Sequence, residues 1–253
     1  MFDSHCHLNF SEFDNRLNDE LNQCKALNIN HWMIPGVKLD SIHQFQNLLL
    51  TSANQFNLYF CLGLHPYFIE QHSIESLVDF EKQIHDFTFH GIGETGLDAS
   101  CTNHTLQIKL LRRHFELAKH SNLPIILHHR KTQPELLKMA KQYPTVKGVI
   151  HAFSGSYEQA KQWVDLGYYL GVGGVITYER AVKTKNAISK IDLSHLLLET
   201  DAPSMPIFLK QGEINSPSNL HIIAQNLALL KQTELLIIDQ VTTQNAMQLF
   251  GKL

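Results

Sequence analysis

The chain has no closely spaced cysteine pair: Cys6, Cys24, Cys61 and Cys101 stand far apart, with no Cys-x-x-Cys among them. That excludes a zinc ribbon and argues against a disulfide framework, so all four are expected as reduced thiols of the core or surface. No apolar run approaches the roughly 20 residues that span a bilayer, and Met1-Phe2-Asp3-Ser4-His5 opens the sequence with neither a basic segment nor an apolar stretch behind it. The expectation is a cytoplasmic protein with no membrane partner. Positive charge is also scarce, 21 Lys and Arg against 24 Asp and Glu, for a formal −3. Proteins that track long duplexes carry a basic stripe, because counterion release supplies much of their affinity. Here a nucleic-acid substrate would have to be held by metals and a few local cations, which favours a chain end or a short piece. Low-complexity tracts, fixed-period repeats and linkers are missing as well. With 253 residues and 43% hydrophobic content there is material for one large core, and residues 1–253 are expected as one domain.

What the chain has in excess is histidine, 16 residues in all. Ten of them (His31, His43, His72, His85, His90, His104, His114, His120, His195 and His221) lack a ligand partner at useful spacing. These are expected at the surface or as helix caps. The remainder belong to a pattern. Short apolar runs, predicted as strands, cover 1–7, 32–36, 58–63, 91–94, 124–128, 148–151, 168–173 and 195–199. Between them lie segments with helical spacing, such as Leu106, Leu110, Leu111 and Phe115. Eight strands alternating with helices imply βαβ crossovers and a TIM (β/α)8 barrel, whose strands deliver side chains to a C-terminal rim where barrel enzymes work.

Several of these runs end in a metal-ligating side chain. In Asp3-Ser4-His5-Cys6-His7-Leu8, strand alternation turns His5 and His7 to the barrel mouth and Cys6 away from it. In Gly91-Ile92-Gly93-Glu94-Thr95-Gly96-Leu97-Asp98 a carboxylate stands among glycines that let backbone crowd against it, so its charge needs a compensating partner. Its position between the histidine pairs makes Glu94 a candidate bridge between two cations. Asp98 is expected as the cap of the next helix, with a contact to a ligand as the alternative. Ile125-Ile126-Leu127-His128-His129-Arg130 and Val149-Ile150-His151 are buried runs that each deliver one imidazole, while His129 should face the other way. Arg130 returns to the inner side, where a guanidinium suits a phosphate; a salt bridge to a local carboxylate is the alternative. In Leu198-Glu199-Thr200-Asp201 the acid nearer the rim, Asp201, is the better ligand and proton acceptor, and Glu199 is expected to orient a ligand imidazole. His65, in Gly63-Leu64-His65-Pro66, is read as a substrate contact, because the six other groups already complete two sites. Gly171-Val172-Gly173-Gly174 lacks the third glycine and the acid of a dinucleotide fingerprint and is read as leaving room at the mouth.

Taken in order, His-x-His, Gly-Leu-His-Pro, Gly-Glu-x-Gly-Leu-Asp, His-x-Arg, His-x-Phe-Ser-Gly and Glu-Thr-Asp-Ala-Pro resemble the TatD family of metal-dependent deoxyribonucleases along essentially the whole chain. The stretch from Gly171 to Tyr178, with Arg180 and Lys183-Thr184, is further similar to the YjjV branch of that family. The resemblance implies an amidohydrolase-like barrel and two divalent cations (Zn, Mn or Mg) bound through His5, His7, Glu94, His128, His151 and Asp201. It also implies hydrolysis of DNA phosphodiesters by a water activated between the cations, with 3′-to-5′ exonuclease action on single strands or 3′ ends leading and no obligate protein partner. Glu94 and Asp201 are the catalytic pair on this reading, and His65 and Arg130 the substrate contacts. Departures from the family pattern are Thr95, the segment Ala99-Ser100-Cys101-Thr102-Asn103 and Lys131, all of which bear on substrate rather than metal. Two other readings compete: a barrel hydrolase of a small ester, lactone or amide, and a non-catalytic metal-binding scaffold.

Overall fold

The computed structural model describes residues 1–52 and 56–251; the side chains at 51, 52 and 84–86, His85 among them, and the end of the last predicted helical stretch at 252–253 lie outside the described set. Eight strands follow one another around a single parallel sheet in the order β1 to β8. They are β1 (Phe2–Asp3), β2 (His31–Pro35), β3 (Asn57–Leu62), β4 (Gly91–Asp98), β5 (Ile125–Arg130), β6 (Gly148–Ile150), β7 (Tyr169–Val172) and β8 (Leu196–Leu198). The intervening helices are α1 (Leu17–Ala26), α2 (Ser41–Ser52), α3 (Ser76–Asp86), α4 (His104–Ser121), α5 (Gln133–Ala140), α6 (Tyr157–Asp165) and α7 (Val182–Lys190), with α8 (Leu220–Lys231) and α9 (Leu235–Phe250) after the last strand. Between β8 and β1 single backbone bonds replace a ladder: Ser4 N–H to Leu198 O at 2.8 Å, Asp201 N–H to His5 O at 2.9 Å and His7 N–H to Ala202 O at 2.8 Å. The expected (β/α)8 barrel is therefore present.

Alternation sorts the strand side chains into two layers. Trp32, Ile34, Phe60, Leu62, Ile125, Leu127, Ile150, Leu196 and Leu198 face the helices. Phe2, Met33, Cys61, Ile126, Val149 and Leu197 face inward, where they pack with Ala246, Leu249 and Phe250 of α9. Continuing the inward parity two residues at a time carries Ile126 to His128, Val149 to His151 and Leu197 to Glu199, which is how three strands load the mouth. The other two ligand-bearing segments break parity. β1 stops at Asp3, well short of the predicted Met1–His7, and the chain bends before His5. β4 runs to Asp98, longer than predicted, but its pairing with β5 slips between Ile92 and Thr95. Gly93 sits in that slip at φ 132°, a backbone conformation that glycine alone adopts freely. The irregularity turns Glu94 inward although Ile92 faces the helices.

The buried histidines are more numerous than the sequence suggests. His114 is fully buried, and His72 and His90 are nearly so, against the expectation of surface or capping roles. His90 Nδ1 accepts from Phe60 N–H at 3.2 Å. His114 belongs to the buried face of α4 with Gln107, Leu110, Leu111, Phe115 and Ala118, so helical periodicity overrides its polarity. The four cysteines are free thiols, three of them buried. No described helix is long and apolar enough to cross a membrane.

Candidate metal centre

Glu94 is the hub of the mouth. It is 3% exposed, yet its two oxygens face five imidazoles. Oε2 lies 3.0 Å from His5 Nε2 and 3.6 Å from His7 Nε2. Oε1 lies 3.1 Å from His65 Nε2, 3.2 Å from His128 Nδ1 and 4.0 Å from His151 Nε2. Asp201 Oδ1 closes the other side, 3.4 Å from His7 Nε2, 3.6 Å from His5 Nε2 and 3.8 Å from His151 Nε2. Asp201 itself sits at φ 57°, a left-handed turn that aspartate tolerates better than most residues.

All six expected ligands thus converge, and one group comes closer than the sequence reading allowed. His65, read as a substrate contact, is as near to Glu94 as His128 is. Three sets of donors lie within 4.8 Å of one another and could hold a cation: His5, His7 and Asp201; His65, Glu94 and His128; His5, His151 and Glu199. Arg130 ends the strand that carries His128. It is exposed at the end of β5, and among the described residues it forms no salt bridge, so the carboxylate partner considered from sequence is not there.

The electrostatics fit a cation. Burial alone would raise the Glu94 and Asp201 carboxyls, but the surrounding histidines hold Glu94 well below the usual range and lower Asp201. Burial also works against charge on His151 and His128. Even so, Glu199 and Asp201 push His151 up to about 10, and hydrogen bonds to Asp98 and Glu94 raise His128. His5 and His65 go the other way, lowered chiefly by burial, His65 to about 4. The pull that Glu199 and Asp201 exert on His151, and Asp98 and Glu94 on His128, is one that a divalent ion would answer instead. His5 Nε2 and His7 Nε2, only 3.2 Å apart, present two donors to one point. Neutral imidazole and carboxylate in this ratio suit zinc, manganese or iron-type ions.

Behind the donors a further set of residues fixes their orientation. His128 Nε2 lies 3.2 Å from Asp98 Oδ2, while Asp98 Oδ1 accepts from Ser100 N–H at 2.8 Å. Asn103 caps α4, so Asp98 is an orienting group rather than the expected cap. His151 Nδ1 lies 3.1 Å from Glu199 Oε1, which also accepts from Ala152 N–H at 2.6 Å, the orienting role read from sequence. Gly171 of β7 leaves room for this carboxylate: a Cβ there would stand 2.2 Å from Glu199 Oε2. Asp3 is completely buried, which pushes its carboxyl up to about 8, and it ties β1 to the turn carrying Asp201 through Thr200. His114 was missed from sequence altogether. Its Nδ1–H donates to Leu110 O at 2.7 Å and its Nε2 accepts from Leu64 N–H at 3.0 Å, which pins the residue before His65. The signal for it was the apolar stripe of α4. His129 faces away from the donors, 3.4 Å from Gln133.

The chain is similar to known proteins over nearly all of its length. A family model described as TatD related DNase matches residues 2–251. An uncharacterized metal-dependent hydrolase of Haemophilus influenzae is 37% identical over 261 residues, covering 99% of this chain and 99% of its own. The uncharacterized metal-dependent hydrolase YjjV of Escherichia coli K12 is 36% identical over 254 residues, covering 98% of this chain and 97% of its own. The crystal structure of YjjV superposes with a TM-score of 0.92 at 35% identity, over 100% of this chain and 98% of that one. An uncharacterized amidohydrolase of Saccharomyces cerevisiae shares the fold at a TM-score of 0.80 and 17% identity, over 98% of this chain and 99% of that one.

Proposed function

Because the chain belongs to the TatD-related DNase family and is a metal-dependent hydrolase, we propose that it cleaves DNA phosphodiester bonds, trimming single strands from the 3′ end. The observation that carries this reading is the convergence of five imidazoles with the carboxylates of Glu94 and Asp201 at the barrel mouth. On this reading His5, His7, Glu94 and Asp201 hold one divalent cation, and Glu94, His128 and His151 hold a second. Two such ions supply the charge that neutralises a reacting phosphate and acidifies the attacking water.

The chain's own groups do the rest. Asp201 accepts the proton of the attacking water. Its side chain is 14% exposed against 3% for Glu94, so it is the acid that solvent reaches. Arg130, exposed and free of carboxylate partners among the described residues, donates its paired N–H groups to the non-bridging phosphate oxygens. His65 is kept neutral by burial, and because its Nδ1 accepts from Tyr67 N–H its single proton is on Nε2, 3.1 Å from Glu94 Oε1; on this reading that N–H turns from Glu94 to the phosphate when substrate and cations are bound. Glu199 and Asp98 hold the tautomers of His151 and His128, leaving the nitrogens that face Glu94 as the donors.

The test uses metal-stripped protein reloaded with magnesium, manganese or zinc, given 5′-labelled single-stranded DNA and a generic carboxylic ester, with Asp201→Asn in parallel. A ladder shortening from the 3′ end is expected, reduced about 10²- to 10⁴-fold in the variant as for the loss of a general base. Ester turnover without DNA cleavage overturns the assignment.

A further inference from the structure

The proposed chemistry leaves one feature of the rim unused. Two exposed aromatic groups stand on loops at the C-terminal ends of strands four places apart in the eight-stranded ring, and so on opposite sides of the mouth. The first follows β3 and begins directly after His65. Tyr67 is 71% exposed, its ring 5.2 Å from that of Phe68, and Lys38 Nζ lies 5.0 Å from the Phe68 centroid. The backbone there is held by Tyr67 N–H, which donates to His65 Nδ1 at 3.0 Å. The second joins the loops after β7 and β8. Tyr178 meets the 39%-exposed Phe208 edge to face at 5.8 Å, and Arg180 Cζ lies 5.2 Å from the Tyr178 ring. This group is fixed too, because Tyr178 Oη donates to Pro206 O at 2.6 Å and Phe208 N–H donates to Thr177 Oγ1 at 2.9 Å.

We propose that these two aromatic–cation groups are stacking platforms for the bases on either side of the reacting phosphate, and that they make the site selective for single strands. The proposal builds on the phosphodiesterase reading. Each platform pairs a ring face with a cation, the combination that takes a base and its neighbouring phosphate together. The chain carries −3 overall, so counterion release along a long footprint does not supply the grip, and stacking has to. Stacking needs an unpaired base with a free face. A duplex offers none except at its frayed end, whereas a single strand offers one at every nucleotide.

Binding tests the platforms separately from catalysis. Metal-loaded Asp201→Asn protein is titrated against a 5′-fluorescein-labelled mixed-sequence single strand, and the anisotropy is compared with that of Tyr67→Ala, Phe208→Ala, Tyr67→Trp and Phe208→Tyr made in the same background. Each alanine change is expected to weaken single-strand binding roughly 5- to 100-fold, the range for removing one base–aromatic stack, and the aromatic replacements to restore it. Tyr67→Leu and Phe208→Leu separate stacking from mere apolar contact and are expected to stay weak. A strand with abasic sites flanking the bound phosphate should bind wild-type rims as poorly as the intact strand binds the alanine variants. Blunt duplex should bind weakly to all. Leu229→Ala, on the exposed face of α8, serves as the control. Unchanged affinity in both alanine variants, or leucine matching the aromatic, overturns the platforms. Platform-dependent binding by a protein whose Asp201 form cleaves no diester would leave the platforms standing and remove the phosphodiesterase reading.

Discussion

Asp3 and Thr200 join the first strand to the turn that follows the last. The Thr200 backbone N–H donates to Asp3 Oδ1 at 3.0 Å and its hydroxyl to Oδ2 at 2.6 Å, both residues being wholly buried. The seam they close has no ladder, and its two sides carry His5 and Asp201. Thr200→Val removes one bond to a buried carboxyl and the acceptor of Ala202 N–H, 3.2 Å away. The expected loss is about 1–3 kcal/mol in urea unfolding, together with weaker cation binding, because His5 and Asp201 lose their common anchor. Stability and metal affinity both equal to wild type would show that the backbone bonds alone hold the seam.

Gly171→Ala tests how the second imidazole site is oriented. The added methyl would collide with Glu199 Oε2 at 2.2 Å and push that carboxylate off His151. Calorimetric titration of stripped protein with manganese is expected to show one binding phase weakened about 10- to 100-fold and the other nearly intact. Two unaltered phases would mean that Glu199 does not govern His151.

Glu94 and His65 touch at 3.1 Å but are assigned different work, and their variants should separate. Glu94→Gln is expected to abolish the stabilisation that cations confer. In the unaltered protein this amounts to about 2.7 kcal/mol at a hundredfold excess over Kd and is visible as a metal-dependent rise in Tm. His65→Ala is expected to keep both cations and that rise while KM for DNA climbs. Elemental analysis showing one cation fewer in His65→Ala would transfer His65 to the ligand set.

His114 gives the fold a dependence on acid. Burial lowers it from the ordinary 6.5 to about 4, so below 6.5 the unfolded chain takes a proton that the folded chain refuses. Stability is therefore undiminished above pH 6.5 and falls as the pH drops from there to about 4, by roughly 3 kcal/mol in all at 1.4 kcal/mol per unit. The stability advantage of wild type over His114→Gln, followed by urea unfolding from pH 7 to 4.5, is expected to shrink across that window. A constant difference would show that His114 stays neutral in both states.

Strand number, strand order and the convergence of the six expected groups were legible because β5, β6 and β8 obey simple alternation, and a polar residue two places beyond an inward apolar one stands out. β1 and β4 were harder. Their histidines and Glu94 were correctly aimed at the mouth, but by a bend after Asp3 and a slip at Gly93 rather than by the regular strands expected. What alternation could not supply was lateral distance. Nothing in the one-dimensional pattern put His65 beside His128, Asp98 on His128 rather than on a helix cap, or His114 beneath Leu64, because each of these contacts joins different βα units, in the first case across β4, and depends on barrel curvature.

The inward side chains of Phe2, Met33, Cys61, Ile126, Val149 and Leu197, sealed from below by Ala246, Leu249 and Phe250, give the barrel a floor. Among the described residues that packing closes the lower end, so the mouth serves both arrival and departure. A polymer substrate of the proposed kind would not be threaded through and drawn out on the far side; it would lower an end into the mouth and lift it away again. If the proposed trimming holds, each freed fragment would leave past the strand just shortened, and the pace of repeated trimming would be set by traffic at one threshold.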